Sequence, residues 1–288
     1  MNTAEFLQIT AMVVPERTAL VSETQRVTFG EMAERVNRLA NWLRSVGAGP
    51  DKPVGAMSTN SVEYVETYYA AAKIGATFVP LNYRAKQEEL TYMINTSEVH
   101  VLFVGERYLG LVDALRPTLT TVQQYACYEK AIDGMDCYGN LLEKSDNEEP
   151  FVEVDESKPT VLIYTSGTTS QPKGVALTYL NLSVYVTNTM SPADPSEEAE
   201  VTLLSVPMFH VAGVTPIMSS VWGGRTLVIL PQFDPKLWLE AVQNEHVTHS
   251  FVVPTMLKRI MDHADFDKYD LSSMQVITYG AAPMPYEV

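Results

Sequence analysis

The chain alternates two hydrophobic rhythms. In "TFGEMAERVNRLANWLRSVG" the apolar residues Met32, Val36, Leu39, Leu43 and Val46 step by four and three. That spacing gathers them on one face of a helix. Thr28 and Glu31 stand at capping-box spacing before it, and Gly47 supplies a stop. "NSVEYVETYYAAAKIG" predicts a second helix, ended by Gly75. The other rhythm is the short apolar run. "ATFVPLN" and "VHVLFVG" (99–105) carry it in the first half; "TVLIYT" (160–165), "TLLSVP" (202–207), "TLVIL" (226–230), "VTHSFVV" (247–253) and "QVITYG" (275–280) carry it in the second. These read as strands, the first of them buried, with helical patterns such as "PKLWLEAVQNE" and "PTMLKRIMDHA" between several of them.

Short apolar strands that alternate with helices predict an α/β fold of mainly parallel sheets covered on both faces. Ligands in such folds sit beyond the carboxyl ends of the strands. No internal repeat or low-complexity segment interrupts the pattern. The acidic stretch 139–159 and "SPADPSEEAE" (191–200) read as exposed connections, because charge runs usually solvate.

Composition then narrows the chemistry. The chain has 288 residues, 46% hydrophobic and 19% charged, a balance that supports a sizeable core. Its net charge of −15 argues against nucleic acid or an anionic membrane surface as a partner. A smaller polyanion would have to be met locally, by backbone amides, a lysine or a metal ion. Cys127 and Cys137 are too few for a disulfide framework, have no neighbouring histidine, and read as ordinary thiols. "MNTAEFLQIT" lacks a basic region followed by an apolar core, and no apolar run approaches the roughly 20 residues of a membrane helix. A cytoplasmic location is the expectation.

The candidate chemistry concentrates in "YTSGTTSQPKGVALTY", residues 164–179, directly behind a strand. A glycine- and hydroxyl-rich turn in that place can aim several backbone N–H groups at one point and so attract phosphate oxygens. Thr165, Ser166, Thr168, Thr169 and Ser170 can donate hydrogen bonds to such oxygens, Gly167 frees the backbone, and Lys173 adds a flexible point charge. A threonine hydroxyl can also ligate Mg²⁺. The Walker loop is excluded: counting from Gly167, Pro172 falls where that pattern needs glycine, and Gly174 where it needs the magnesium-binding hydroxyl.

"YTSGTTSQPKGV" resembles the phosphate-binding signature of the adenylate-forming acyl-CoA synthetases, with Ser170 where the usual form has glycine. Three further stretches resemble that family in the same order: "AAAKIGATFVPLNYR" (70–84), "PMFHVAGV" (207–214) and "YGAAPMP" (279–285). The resemblance implies two packed, mainly parallel sheets with flanking helices, incomplete at the C-terminus. It implies an α/β subdomain at roughly 52–190 and a second from roughly 1–51 plus 200–288. The family's later segments, including its aromatic-Gly-x-Thr-Glu stretch and its lysine-bearing C-terminal domain, find no counterpart here. The polypeptide is therefore expected to be the front of the large domain, with little or no adenylation activity of its own. Sheet edges exposed by such a cut would favour association, a homodimer included.

The resemblance also implies the site. Thr165, Ser166, Gly167, Thr168, Thr169 and Lys173 would hold the β- and γ-phosphates of ATP, with Thr169 at the Mg²⁺. His210 would line the mouth between the acid pocket and the CoA channel. Gly280, Ala281, Ala282 and Pro283 would border the nucleotide. The implied reaction joins a carboxylic acid to ATP, releases pyrophosphate, and passes the acyl group to CoA; Lys173, Thr169 and His210 are the residues nearest that chemistry. Phe209, Val211, Val214, the Met218 region and the apolar positions of 251–257 suit a fatty or aromatic acid better than a charged amino acid. Two other readings stay open at this point: an adenylating enzyme that uses a carrier-protein thiol, and a non-catalytic module that binds nucleotide or a partner chain.

Overall fold

The computed structural model describes residues 2–165 and 171–284. In chain order its helices are α1 (Thr3–Val13), α2 (Phe29–Ser45), α3 (Val62–Lys73), α4 (Gln87–Thr96), α5 (Leu109–Leu115), α6 (Tyr138–Lys144), α7 (Tyr179–Thr189), α8 (Val211–Trp222), α9 (Pro235–Glu245) and α10 (Pro254–Met261). The strands are β1 (Thr18–Val21), β2 (Arg26–Thr28), β3 (Val54–Met57), β4 (Phe78–Pro80), β5 (Val101–Val104), β6 (Gln124–Cys127), β7 (Asp136–Cys137), β8 (Pro159–Thr165), β9 (Lys173–Thr178), β10 (Val201–Leu204), β11 (Thr226–Ile229), β12 (His249–Val252) and β13 (Val276–Tyr279).

Two sheets form. The first runs β13-β12-β10-β11-β1-β2 and is parallel except for β2, which pairs antiparallel with β1. The second runs β7-β6-β5-β3-β4-β8-β9 and is parallel except for the β8–β9 hairpin. This is the α/β class that the strand-and-helix rhythm predicts. Helices α1, α2 and α3 pack on one another; α2 also reaches β1 and β2, while α3 reaches β3 and β4. A helical layer thus lies between the sheets.

The capping box foreseen for α2 is present: Thr28 Oγ1 accepts from Glu31 N–H, and Glu31 accepts from Thr28 N–H at 2.8 Å. Met32, Val36, Leu39 and Leu43 are all buried, so the four-and-three spacing marks the core face. Gly47 and Gly75 follow α2 and α3 at φ 85° and 74°, where a side chain would be strained.

The stretch 139–159 is largely exposed, as read, but its start is not a plain connection. Its start belongs to α6, and Tyr138 and Leu141 are buried there. Arg38 donates to the Ser145 carbonyl at 2.6 Å, and Asn41 donates to those of Asp146 and Glu148. The carboxylates hid this. One buried leucine and a row of donors on α2 suffice to hold the segment, and neither shows as a periodic pattern.

Candidate active site

The parallel strands of both sheets deliver their carboxyl ends to a cleft of about 680 Å³. From the second sheet come Ile163 and Thr165 of β8 and Val175 and Leu177 of β9. From the first come Ser205, Val206 and Pro207 after β10, Pro231, Gln232 and Phe233 after β11, Phe251 of β12 and Val253 just after it.

One side chain ties these strand ends together. Asn60, at the turn after β3, is 4% exposed. Its Nδ2 donates to the Val206 carbonyl at 2.9 Å and to the Leu230 carbonyl at 3.1 Å. Its Oδ1 accepts from Met208 N–H at 2.9 Å, and its own N–H donates to the Pro231 carbonyl at 3.2 Å. Asn60 therefore satisfies backbone groups of two loops of the opposite sheet, groups that would be costly to leave dry.

The loop so held carries His210. Its turn closes through His210 N–H to the Pro207 carbonyl and Gly213 N–H to the His210 carbonyl. A Cβ on Gly213 would stand 2.4 Å from the Pro207 oxygen, so only glycine permits α8 to start this close to the loop. Phe209 is buried, packing edge-on against Tyr83 at 5.0 Å. His210 itself stays open on the cleft side. Partial burial, and then the Arg84 guanidinium, lower its pKa below the ordinary histidine value, which favours the neutral ring.

The cleft gathers Thr165, His210 and Ala281 of the sequence-predicted residues. Lys173 opens β9 directly across from Thr165, whose hydroxyl donates to the Lys173 carbonyl at 3.5 Å. Lys173 is exposed at the open end of the hairpin and does not line the cleft. Gly280, Ala282 and Pro283 follow β13 beside Ala281. Ala281 takes φ 66°, a left-handed conformation that favours glycine. Ser166, Gly167, Thr168 and Thr169 lie outside the described residues. Of the apolar positions read as an acid pocket, Val211, Phe251, Val253 and Met256 line the cleft, whereas Phe209, Val214 and Met218 are core.

Sequence reasoning missed two cations. Arg84 and Arg259 both line the cleft, their guanidinium carbons 5.6 and 5.2 Å from the ring centres of Tyr83 and Phe233. Arg84 ends a stretch already singled out, and Arg259 lies in a helical pattern; nothing in their spacing marks them as facing a ligand. Ser205, 1% exposed, also lines the cleft, and its Oγ has no hydrogen-bond partner among the described residues.

The chain matches the AMP-binding enzyme family over residues 7–288. It belongs to that family. It is 31% identical over 290 residues to indoleacetate–CoA ligase of Aromatoleum aromaticum, a match covering 99% of this chain and 56% of the relative. It is 33% identical over 280 residues to a feruloyl-CoA synthase of an Amycolatopsis species, covering 96% and 54%. The chain thus spans about half the length of the curated relatives it matches. Among solved structures, the inhibitor-bound N-terminal domain of FACL13 from Mycobacterium tuberculosis superposes with a TM-score of 0.90 at 30% identity, covering 99% of this chain and 71% of that one. The two mainly parallel sheets with flanking helices are therefore those of the AMP-binding fold. No helix among the described residues is long and apolar enough to cross a membrane.

Proposed function

We propose that this AMP-binding chain serves an acid–CoA ligase that joins a carboxylic acid to ATP and then to CoA. The observation that carries the reading is the convergence of Thr165, His210 and Ala281, from three separated stretches of sequence, on one cleft at the carboxyl ends of both sheets. The cleft also suits an anionic nucleotide. It offers the two guanidinium groups of Arg84 and Arg259. Among the described residues no group of three or more His, Cys, Asp or Glu side chains could hold a metal ion. Thr169 would offer its hydroxyl to the magnesium that accompanies the triphosphate.

In this reading the hydroxyls and amides of 165–169 and the Lys173 ammonium grip the β- and γ-phosphates. Gly280 to Pro283 border the nucleotide. A carboxylate oxygen of the acid attacks the α-phosphorus, a new O–P bond forms, and pyrophosphate leaves with its electron pair. The CoA sulfur then attacks the acyl carbon, forming the thioester; AMP departs and the thiol proton passes to solvent. No protein nucleophile is needed. The protein contributes positioning and cations facing the growing charge. Neutral His210 fits a wall between acid and thiol, where a fixed positive charge would hold the carboxylate in place.

Removing the ammonium tests the reading. Lys173→Ala should weaken MgATP binding by about tenfold or more, as expected for loss of a charge-assisted contact. MgATP affinity unchanged by the substitution would refute the assignment.

A further inference from the structure

Cys127 and Cys137 are separated in the sequence, and the fold sets them side by side. Strands β6 and β7 run parallel at one end of the second sheet, with Ala126 opposite Asp136 and Cys127 opposite Cys137. Residues paired across parallel strands project to the same face. The cores on the two faces agree with this register. Ala126 and Tyr138 belong to the core that includes α2 and α3, whereas Cys127 and Met135 belong to the core under α4 and α5. Met135 stands two residues before Cys137, so alternation puts the Cys137 side chain on the face that Cys127 uses. Neighbouring strands lie about 4.8 Å apart, inside the roughly 4.4–6.8 Å that separates the Cα atoms of a disulfide.

The surroundings of the two thiols differ. Both are free. Cys127 is fully buried, and its thiol donates to Glu129 Oε2 at 3.8 Å. Burial pushes that thiol's pKa up, and the backbone N–H groups of Lys130 and Glu129 pull the other way without reversing the rise. The Glu129 carboxylate is itself held, accepting from Glu106 N–H at 2.7 Å. Cys137 is only half-buried. It sits on β7, a two-residue strand with no strand on its outer side among the described residues. A small oxidant can reach Cys137 there, and so short an edge strand can shift inward as two sulfurs join.

We propose that Cys127 and Cys137 form a dithiol that hydrogen peroxide closes to a disulfide, stapling β7 and the start of α6 to the second sheet. The more open Cys137 reacts first. Its sulfur attacks one peroxide oxygen, the O–O bond breaks, and water leaves behind a sulfenic acid on Cys137. The Cys127 sulfur then attacks the Cys137 sulfur as its proton passes to Glu129. An S–S bond forms, the S–O bond breaks, and the departing hydroxide takes that proton to leave as a second water. Two thiols are thus oxidised to one disulfide while one peroxide is reduced to two waters. The consequence reaches the helical layer. Strand β7 runs directly into α6, which packs on α2 and whose Tyr138 hydroxyl donates to the buried Glu66. A covalent tie at Cys137 removes the open states in which β7 and α6 leave the sheet together.

Hydrogen peroxide added to the folded chain tests this, with thiols counted after denaturation and the protein digested without reduction. Both thiols should disappear in a product that stays one chain, and dithiothreitol should restore them. Lys130 lies between the two cysteines, so trypsin releases them on separate peptides unless a disulfide joins them. The joined pair is the expected product. Amide exchange in β7 and α6 should slow at least about tenfold in the oxidised chain. Cys127→Ala should carry Cys137 on to sulfinic acid, and Cys137→Ser should leave Cys127 a thiol under the same treatment. Thiols that survive peroxide, sulfinic acid on Cys137 of the wild type beside an intact Cys127, or chains joined to one another through Cys137 overturns the inference. A disulfide that leaves exchange in α6 unchanged overturns the staple. If Cys127→Ala does not fold, the joined peptides of the wild type and the Cys137→Ser variant decide.

Discussion

Arginine side chains serve in opposite ways at two places in this molecule. Between α2, α3 and α6, Glu66 is fully buried; it pairs with Arg35 at 2.7 Å and accepts a hydrogen bond from the Tyr138 hydroxyl. Arg35 donates in addition to Gln25. In the cleft, Arg84 and Arg259 rest on aromatic rings and meet no carboxylate among the described residues. A charge closed on its partner fixes how elements pack. A charge left open at the carboxyl ends of parallel strands is available to a ligand.

The largest expected effect tests the closed side. Arg35→Met leaves Glu66 buried without its cation and should cost about 3 kcal/mol at alkaline pH, several degrees in melting temperature. The pH dependence sharpens the point. Burial pushes the Glu66 pKa up from its ordinary 4.5 to about 7, with Arg35 and Tyr138 pulling the other way. A carboxyl whose folded pKa is raised holds an extra proton in the native state. Its contribution to stability is full below pH 4.5 and is lost as pH rises toward about 7. In the wild type that loss ends near pH 7, where Glu66 ionises beside Arg35. In Arg35→Met it continues to higher pH, so the gap between the two melting curves widens above pH 7. A gap that stays constant across that range would show that Arg35 matters only for packing.

Next in size is the open side. Arg259→Ala should leave stability within about 0.5 kcal/mol, as for a substitution away from packed or paired groups. It should weaken MgATP binding about tenfold if the proposed nucleotide lies in this cleft, since it removes a cation from the cleft wall. If the variant melts as early as Arg35→Met while binding MgATP normally, the contrast between the two regions collapses.

The two regions were also unequally legible in the sequence. The core face of α2, its cap and the apolar strands other than the exposed β13 could be read because burial imposes a period that residue types reveal one by one. The phosphate-loop pattern was legible as chemistry, through its hydroxyls and its lysine. What could not be read is whatever depends on residues far apart in the chain. Glu66 looks like a surface residue of an amphipathic helix until Tyr138 and Arg35 arrive to cover it. Asn60 is one polar residue in a turn until its amide spans the gap to Val206 and Leu230, 146 and 170 positions away. Strand β9 was missed because Lys173–Thr178 is half-exposed and lacks the continuous apolar run that marked its partner β8.

The smallest expected effect asks whether Arg84 is open toward the cleft as Arg259 is. Burial is the larger cause of the lowered His210 pKa and Arg84 the second. Arg84→Gln should therefore raise the His210 titration midpoint only part of the way toward the ordinary histidine value, read from its imidazole proton resonances across pH. The sign follows from charge alone: taking away a nearby cation makes protonating the ring easier. If the midpoint does not move, the guanidinium is directed away from His210, and Arg84 belongs with the surface charges. A rise of the expected sign places both groups in one electrostatic field. An anion bound between them should then raise the same midpoint further, because it neutralises Arg84 and favours the protonated ring. Titrating His210 with and without inorganic pyrophosphate would separate that response from a structural one, since a rearranged loop would move the resonances without adding this dependence on the anion.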